Sequence, residues 1–528
     1  MKKFVLVAIG GTGMRVAQSF VALAASGFLS DLSGPEYKLE IRLVDLDIVA
    51  GSDKIELESM VRALNNAMPY LSIIVDERTA DTRWQAKGID GIRCLETPID
   101  DKSTLNDLVR DGFLSEKETL AYHALFGEDD RTMVLRRGCK GRPRIGSLLW
   151  AEQFDLDWSD RGGFWQSIFD DVGETDELRI MFAGSVFGGT GASGTPTLAQ
   201  KFIRACKKGD VGHTEPFAKH VGLTLMLPYF DLGNDTDVDS GLFSINSKMA
   251  LKYYETSEVL SEVEFAQFVG DDRRPMQKKD EQGQWKEVRL DRNSHVDEGQ
   301  NDPSMPAELM AAIGICRYFA NDIPKVDTVL QKVYVPLKWT NAIPELDVKP
   351  EITFPLDSFD YFPVGNGGAD AGKVRSVRDY ILRLERFCLM LATYYRTSAS
   401  MNTQWNYRPE VFRTVWRKQK DLGETYESYI DGVGAPLAFA DSMFRWLEEL
   451  DHHGMHALLK VEGSTVHHLP HIQQEVSDAA LMGSTDLDVL DIPCAQITAQ
   501  MNSACVDPKG ATKFFVSSLM ECCVLRAQ

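Results

Sequence analysis

The stretch Phe187-Gly188-Gly189-Thr190-Gly191-Ala192-Ser193-Gly194 decides the fold. It lies between an apolar, strand-like run at residues 180–183 and a helical pattern at about residues 195–207. A phosphate site needs backbone N–H groups that no side chain covers, and a helix N-terminus adds partial positive charge. A glycine costs about 0.5–1 kcal/mol in conformational entropy where the backbone does not require it. Four glycines in this stretch therefore favour a phosphate-binding turn over a plain strand-to-helix turn.

A second glycine turn, Gly10-Gly11-Thr12-Gly13, follows an apolar run at residues 4–9. Helical spacing comes next at residues 14–26, and then a strand-like run at residues 41–44 that leads to Asp45. This order predicts an α/β fold with a parallel sheet, because parallel strands need a crossover helix. An acidic residue after the second strand is also typical of NAD-binding folds, so a NAD-dependent enzyme is one alternative. A NAD site needs only one glycine turn, whereas this chain has two.

The patterns along the chain predict three regions. Residues 1–266 form a nucleotide-binding domain that ends in a long helix at residues 244–266. Residues 267–375 contain a polar insertion, then a further helix and a passage rich in proline and glycine. In the insertion, residues 280–283 are suited to a hairpin turn, and a mobile segment is the alternative. Residues 376–528 open with an amphipathic pattern and are expected to be mostly helical.

The bulk composition excludes several classes of protein. The net charge of −21 argues against a general nucleic-acid binder, since such proteins usually present a basic face. Nine cysteines without a C-x-x-C motif argue against a disulfide scaffold or a thiolate zinc site and favour a reducing cytoplasm. No apolar stretch approaches the ~20 residues that span a bilayer. The apolar run after MKK is too short for a signal peptide.

Six of the ten histidines lie within residues 452–471. Metal binding requires side chains that converge, and helical spacing of three or four residues allows this. Glycine and proline interrupt both histidine segments, and H-E-x-x-H is absent. Ordinary loop histidines are therefore the favoured interpretation, with a metal site or a pH-sensitive contact surface as alternatives. The six are His452, His453, His456, His467, His468 and His471.

Taken together, these motifs resemble the tubulin/FtsZ superfamily and, within it, the divergent bacterial tubulin-like proteins. The second glycine turn is similar to the signature G-G-G-T-G-[ST]-G: its Gly-Gly-Thr-Gly centre is intact, while Phe187, Ala192 and Ser193 stand at the other three positions. Val44-Asp45-Leu46-Asp47 resembles the V-D-L-E of tubulin. That match implies that Asp45 and Asp47 lie near the phosphates and an indirectly held Mg²⁺.

Two further matches concern the nucleoside. The segment 227–233 resembles the FtsZ loop beside the ribose, with Asp231 as the candidate contact. Asn246 matches the central-helix asparagine that reads the guanine edge, for which an amide offers both a donor and an acceptor; a solvent-facing or capping asparagine is the alternative. The nucleotide-binding residues expected from the turns and the resemblance are Gly10, Gly11, Thr12, Gly13, Asp45, Asp47, Gly141, Arg142, Gly188, Gly189, Thr190, Gly191, Ala192, Ser193, Asp231 and Asn246.

Gly141 and Arg142 belong to a basic stretch, residues 136–144, that carries five cationic side chains. In a tubulin-like protein this stretch fits a lid over the γ-phosphate, where cations neutralise charge during phosphoryl transfer. A surface patch for an acidic partner is the alternative.

The resemblance implies a cytoplasmic GTPase that binds GTP or GDP with Mg²⁺ and assembles head to tail with copies of itself. In the family an acidic residue completes the neighbouring subunit's site, and the candidates here are Glu308 and, less well placed, Asp302. The alternative is a nucleotide-gated binding module with weak hydrolysis, which recruits a protein partner through its C-terminal region in a defence or signalling system.

Overall fold

The computed structural model describes the N-terminal two thirds of the chain with gaps and only parts of the rest. The described residues are 1–34, 36–46, 52–71, 84–97, 103–108, 115–135, 139, 142–173, 176–209, 214–231, 240–271, 274–280, 283–288, 302–321, 331–336, 361–363, 374–377, 380, 381, 383–385, 387, 388, 391, 426–450, 452, 453, 516 and 520.

Strands and helices alternate along most of the described chain up to residue 270, as the sequence predicts, and several short strands then follow one another. The strands are β1 (Lys2–Ile9), β2 (Lys38–Val44), β3 (Gly91–Cys94), β4 (Glu177–Ser185), β5 (Val221–Met226), β6 (Phe230–Asp231), β7 (Phe265–Gly270), β8 (Arg274–Pro275), β9 (Gln277–Lys279), β10 (Trp285–Glu287), β11 (Gln331–Pro336), β12 (Tyr361–Pro363) and β13 (Val374–Ser376). The α-helices are α1 (Gly10–Ala25), α2 (Phe28–Ser33), α3 (Asp53–Ala67), α4 (Leu105–Leu108), α5 (Glu116–Leu125), α6 (Glu128–Arg131), α7 (Pro143–Trp158), α8 (Thr190–Lys208), α9 (Ser240–Thr256), α10 (Val259–Glu262), α11 (Pro306–Phe319) and α12 (Tyr426–Leu450).

One parallel sheet of seven strands organises the domain, in the order β11-β7-β5-β4-β1-β2-β3. Its central strands are continuous apolar runs that are buried almost completely, as expected of a parallel sheet covered on both faces. The fold class expected from the sequence, an α/β domain on a parallel sheet, is confirmed, and the described residues of the C-terminal region are mostly helical.

The sheet places the two glycine turns side by side. β1 and β4 are neighbours, and their parallel register pairs Ala8 with Ala183. Each strand ends a few residues later, so Gly10 opens α1 and the second turn opens α8 at the same edge of the sheet. Parallel strands present their carboxyl ends at one edge, which is where α/β folds bind ligands.

The predicted long helix at residues 244–266 is wrong in its second half. α9 ends at Thr256, and β7 begins at Phe265 as part of the parallel sheet. Short apolar runs cannot be assigned to helix or strand by periodicity alone, and the run at 265–269 is buried on both faces. The region boundary expected at residue 266 consequently lies inside β7.

The hairpin expected around residues 280–283 is confirmed. β9 and β10 pair in antiparallel fashion, with Trp285 opposite Lys279. The Asp280 N–H donates to the Gln284 carbonyl at 2.9 Å, and Gly283 has a φ of 76°, which a glycine adopts without strain.

The chain divides into two compact units. The first contains residues 1–20, 36–58 and 90–355, and with them the whole seven-stranded sheet. The second contains residues 21–35, 59–89 and 356–528. In that second unit Arg383 lies over the rings of Trp84 and Tyr380, at 5.1 and 4.2 Å from their centroids.

Only His452 and His453 of the histidine cluster are described. They follow α12, and His453 Nδ1 lies 2.7 Å from the Glu449 carbonyl oxygen. The other four histidines lie outside the described residues. Among the described helices, none is long and apolar enough to cross a membrane.

Candidate functional site

The two glycine turns meet at the centre of the sheet edge. Gly10 has a φ of 71°, a left-handed conformation that favours glycine. A Cβ atom at Gly10 would lie only 3.2 Å from the Gly191 nitrogen and 3.3 Å from the Thr190 Cβ. The backbones of the two turns are therefore in direct contact.

Other glycines of the turns allow the backbone to approach its neighbours closely. A Cβ at Gly13 would lie 2.6 Å from the Ala183 carbonyl oxygen, and one at Gly191 would lie 2.7 Å from the Ser185 nitrogen. No side chain caps the N-terminus of α8, whose N-cap residue is Gly189. Uncapped N–H groups at a helix start need an acceptor, and the helix dipole favours a negatively charged one. Two helix N-termini side by side are thus suited to a polyanion.

The Ser193 hydroxyl of the second turn points back into α8. The Ser193 hydroxyl donates to the Gly189 carbonyl at 2.7 Å and is also within 3.2 Å of the Thr190 carbonyl. Its side chain is thereby used inside the helix, so only the main chain of Ser193 is suited to a phosphate contact. The turn reaches the solvent through Gly188 and Gly189, which are half-buried.

Asp45 lies near the second turn. Burial, aided by the negative charge of Asp45 and opposed by a hydrogen bond with Thr190, raises the pKa of Cys139 to about 12. Cys139 therefore has both Asp45 and Thr190 close by. Asp47 and Gly141 lie outside the described residues. In the part of the chain that the structure describes, no group of three or more acidic, histidine or cysteine side chains is arranged to hold a metal ion.

The described arginines of the basic stretch share one buried carboxylate. Arg142 Nη1 donates to Asp130 Oδ1 at 2.7 Å, and Arg144 pairs with Asp130 Oδ2. Asp130 is 4% exposed, whereas both arginine side chains are partly open to solvent. The pairing places Arg142 and Arg144 at the start of α7, beside the second turn.

A cavity of about 920 Å³ lies between α7, α8 and α9. Three of the predicted nucleotide-binding residues line it together: Arg142, Ala192 and Asn246. The aromatic rings of Tyr253 and Tyr254 line it as well. Asn246 Nδ2 donates to the Phe187 carbonyl at 3.1 Å, which fastens α9 to the second glycine turn. For Asp231 the structure gives the backbone alone, in β6 next to Phe230.

A buried ionic cluster, which we call the Arg15 cluster, lies beside the first turn. It consists of Arg15, Asp53, Tyr229, Asp302 and Glu308. Arg15 Nε donates to Glu308 at 2.6 Å, and its Nη1 donates to Asp53 at 2.9 Å and to Asp302 at 3.2 Å. Its Nη2 donates to the Tyr229 hydroxyl at 3.1 Å, and that hydroxyl donates to Glu308. None of the five is more than 4% exposed.

The Arg15 cluster touches the first glycine turn directly. A Cβ at Gly11 would lie 2.5 Å from Asp53 Oδ2, and Arg15 Nη2 lies 3.4 Å from the Thr12 hydroxyl. The Asp302 N–H donates to Asp53 Oδ1 at 2.9 Å. The cluster thus joins the turn to the start of α3 and to the segment that leads into α11.

Burial and charge repulsion raise the pKa values of acidic side chains in the Arg15 cluster. Burial raises the pKa of Asp53, Arg15 lowers it in part, and Asp302 and Glu308 raise it further. Burial also raises the pKa of Glu308, against the opposing effects of Arg15 and Tyr229. Burial alone would lower the pKa of Arg15, yet the surrounding Tyr229 and carboxylates hold it above its ordinary value.

The predicted catalytic residues are therefore buried inside one chain. Glu308 is 0% exposed and Asp302 is 4% exposed. Glu308 also accepts the Met305 N–H at 2.8 Å, so it closes the start of α11. In this conformation neither carboxylate is at the surface. Their role in catalysis stays a prediction.

Sequence reasoning missed Arg15, Asp53 and Tyr229. The sequence did contain one signal of a buried ion pair, which is Arg15 in the apolar pattern of α1. A buried charge is almost always paired with another. Asp53 is the first residue of α3. A carboxylate is common at this position because the helix dipole favours negative charge there. The sequence gives no sign that the two meet.

No protein-family model matches the sequence, and the comparison with curated proteins finds no match. Among solved structures the chain is similar to CetZ2 from Haloferax volcanii, a GTPγS-bound protofilament, at 14% sequence identity and a TM-score of 0.26. The likeness covers 62% of this chain and 60% of that chain.

Proposed function

We propose that this protein binds a guanine nucleotide as a tubulin/FtsZ-like GTPase. The observation that carries the proposal is the contact between the two glycine turns, with the missing Cβ of Gly10 only 3.2 Å from the Gly191 nitrogen. Two adjacent helix starts, α1 and α8, then direct their N–H groups towards one polyanion. A dinucleotide site of the NAD type would use a single such turn.

The nucleoside is assigned to the cavity between α7, α8 and α9. Its volume of about 920 Å³ lies within the ~300–1,000 Å³ range of ligand pockets. Asn246 supplies an amide for the guanine edge, and Tyr253 and Tyr254 supply aromatic surface for a base. Arg142, which lines the same cavity, brings positive charge from the basic stretch.

In this proposal main-chain N–H groups bind the phosphates, and carboxylates bind the metal ion. Asp45, together with Asp47, would hold Mg²⁺ through water beside the second turn, where the ion would neutralise charge on the phosphate oxygens. Arg142 and its neighbours in the basic stretch would close over the γ-phosphate as the chain's own cations.

The first test substitutes Gly188 by alanine. A Cβ at Gly188 meets only the Ser185 hydroxyl at 3.0 Å, so the fold is retained, but the methyl group stands over the turn at its half-buried opening. We expect the affinity for GTP to fall by about tenfold or more, because bound phosphate requires uncovered N–H groups. Titration of GTP into the purified chain measures this directly.

The matched control is Gly434→Ala in α12, where a Cβ meets no described atom within 4 Å. It should leave GTP affinity unchanged. Denaturing the purified protein and identifying the released small molecule gives an independent answer. Release of an adenine–nicotinamide dinucleotide, or equal GTP binding by the wild type and the Gly188→Ala variant, would refute the proposal.

One observation favours the alternative of a nucleotide-gated binding module. Glu308 and Asp302, the carboxylates expected to complete a neighbour's site, are tied to Arg15 in the interior. While they remain there, a second copy receives no carboxylate from α11. In that case the chain holds GTP with little turnover and recruits a protein partner through its C-terminal region.

A further inference from the structure

The Arg15 cluster contains more acidic than basic side chains. Among the described side chains, three carboxylates, from Asp53, Asp302 and Glu308, surround the guanidinium of Arg15. If all three were ionised, two unbalanced negative charges would be buried together, and burial of uncompensated charge costs several kcal/mol. A buried group in that position commonly takes up a proton instead.

The hydrogen bonds show which carboxylates are best suited to share that proton. Glu308 accepts from Arg15 Nε, from the Tyr229 hydroxyl and from the Met305 N–H, which together stabilise its ionised form. Asp53 and Asp302 accept from the same Arg15 nitrogen, Nη1. Two carboxylates on one donor repel each other, and a proton shared between them relieves that repulsion.

The pair lies against the proposed phosphate site. Asp53 Oδ2 is the atom that a Cβ at Gly11 would meet at 2.5 Å. The groups that act electrostatically on Asp53 come from three elements: Arg15 from α1, Asp302 from the segment before α11, and Glu308 from α11. A polyanion at the first turn would add negative charge next to this pair.

We propose that the Asp53–Asp302 pair is a proton-binding site coupled to the first glycine turn, so that a phosphate chain bound at Gly11 draws a proton into the pair. The coupling rests on the proposed function, whereas the proton site itself does not. Nucleotide binding then weakens as the pH rises, because the proton becomes harder to supply. By reciprocity the bound nucleotide raises the proton affinity of the pair.

Calorimetric titration of GTP in buffers of different ionisation enthalpy measures the protons taken up. The titration is carried out between about pH 7 and about pH 9, which is above the second pKa of a phosphate at about 6. The wild type should take up a measurable fraction of a proton, and its affinity should fall by up to about tenfold per pH unit. Asp53→Asn and Asp302→Asn each remove one member of the pair and should abolish this uptake.

The control is Glu40→Gln. Glu40 lies near the start of β2, away from the glycine turns, and pairs with Lys3 at 2.7 Å and with Arg42 at 2.6 Å. Burial would raise its pKa, but hydrogen bonds and charge from Lys3 and Arg42 hold that pKa below its ordinary value, so it carries no proton to exchange. This variant should therefore take up protons on GTP binding as the wild type does. Equal uptake by the wild type and both asparagine variants overturns the coupling.

A second measurement needs no nucleotide. The raised pKa of Asp53 in the folded state means that its stabilising contribution is complete below the unfolded pKa of about 4 and is lost as the pH rises through the folded value. Thermal unfolding followed against pH should show this loss in the wild type and a flatter curve in Asp53→Asn. Matching curves overturn the proton site, even if GTP binds. Absence of GTP binding at every pH overturns the coupling and the proposed function, and the unfolding curves still decide on the proton site.

Discussion

Arg15 is the residue on which the interior of the first unit depends most. It makes hydrogen bonds to partners 38, 287 and 293 positions away along the chain, all of them buried carboxylates. A guanidinium suits this position because its donors point in fixed directions, whereas an ammonium is a single compact charge. One side chain thereby connects α1, α3 and α11.

Replacing Arg15 by methionine tests that dependence. The substitution retains much of the length of the side chain but leaves three carboxylates buried without their cation. We expect the free energy of unfolding to fall by about 3–5 kcal/mol, the usual cost of breaking a buried ion pair on one side. Chemical denaturation monitored by circular dichroism provides the measurement.

Arg144→Met is the comparison for this change. Arg144 also pairs with a buried aspartate, Asp130, but its own side chain is 60% exposed. Exposed pairs contribute about 0–1 kcal/mol, so this variant should unfold almost as the wild type does. Equal stability of the Arg15→Met and Arg144→Met variants would show that the Arg15 cluster relaxes by admitting water, which would remove the argument for a tightly closed interior.

At the scale of elements, the contact between α11 and the sheet depends on one glycine. Gln267 of β7 donates from Nε2 to the Thr224 hydroxyl and to the Ala311 carbonyl, both at 2.8 Å. Gly314, one turn further along α11, faces the Gln267 amide so closely that a Cβ there would overlap it. The missing side chain lets a buried polar residue and a helix backbone pack together.

Gly314→Ala should therefore destabilise the protein, although alanine is the better helix former by about 1 kcal/mol. Overpacking in a filled interior costs about 1–3 kcal/mol and should exceed that gain. Gly434→Ala in α12 has free space around it and should be neutral or slightly stabilising. Thermal unfolding of both variants makes the comparison.

A double-mutant cycle identifies the cause. Combined with Gln267→Ala, which removes the obstructing amide, Gly314→Ala should cost much less than it does alone, because the two sites share one contact. Strictly additive effects of the two substitutions would point to some other source of strain in α11.

The same two elements show what the sequence can and cannot predict. The glycine turns, the parallel sheet and the β9–β10 hairpin follow from local patterns, because each requires a particular residue type over a few positions. The end of α9 and the start of β7 were not predicted, since a short and mostly apolar run such as residues 265–269, which includes Gln267, fits either state. The Arg15 cluster was not predicted either, because Arg15 meets partners 38 to 293 positions away and only the folded chain brings them together.

The placement of the candidate site was likewise predictable only in part. The sequence indicated that residues near Gly10 and Gly191 would bind one ligand, since both turns follow strands of a parallel sheet. It did not indicate that Ser193 turns its hydroxyl back into α8, or that Glu308 lies in the interior. The direction of a side chain depends on the packing around it, and the spacing of a motif does not reveal that packing.

For the whole molecule, the net charge of −21 bears on self-assembly. Copies with the same strong charge repel one another, and salt screens that repulsion over a distance of about 10 Å at 0.1 M. If the chain assembles head to tail, sedimentation with GTP should increase as the salt concentration rises. GTP turnover per subunit should then rise with protein concentration, because each hydrolytic site forms between two copies.

Mixing two variants decides whether a site is shared between copies. Gly188→Ala impairs the nucleotide site but retains Glu308, whereas Glu308→Gln retains the glycine turns but lacks the carboxylate. In a shared site the first variant supplies the acid to the nucleotide held by the second, so the mixture should turn over GTP several-fold faster than either alone. Because Glu308 is 0% exposed in the single chain, such recovery requires the Arg15 cluster to open on assembly. A mixture no faster than its components, with turnover per subunit that stays constant on dilution, would instead identify the chain as a nucleotide-gated module whose α11 carboxylates serve its own interior.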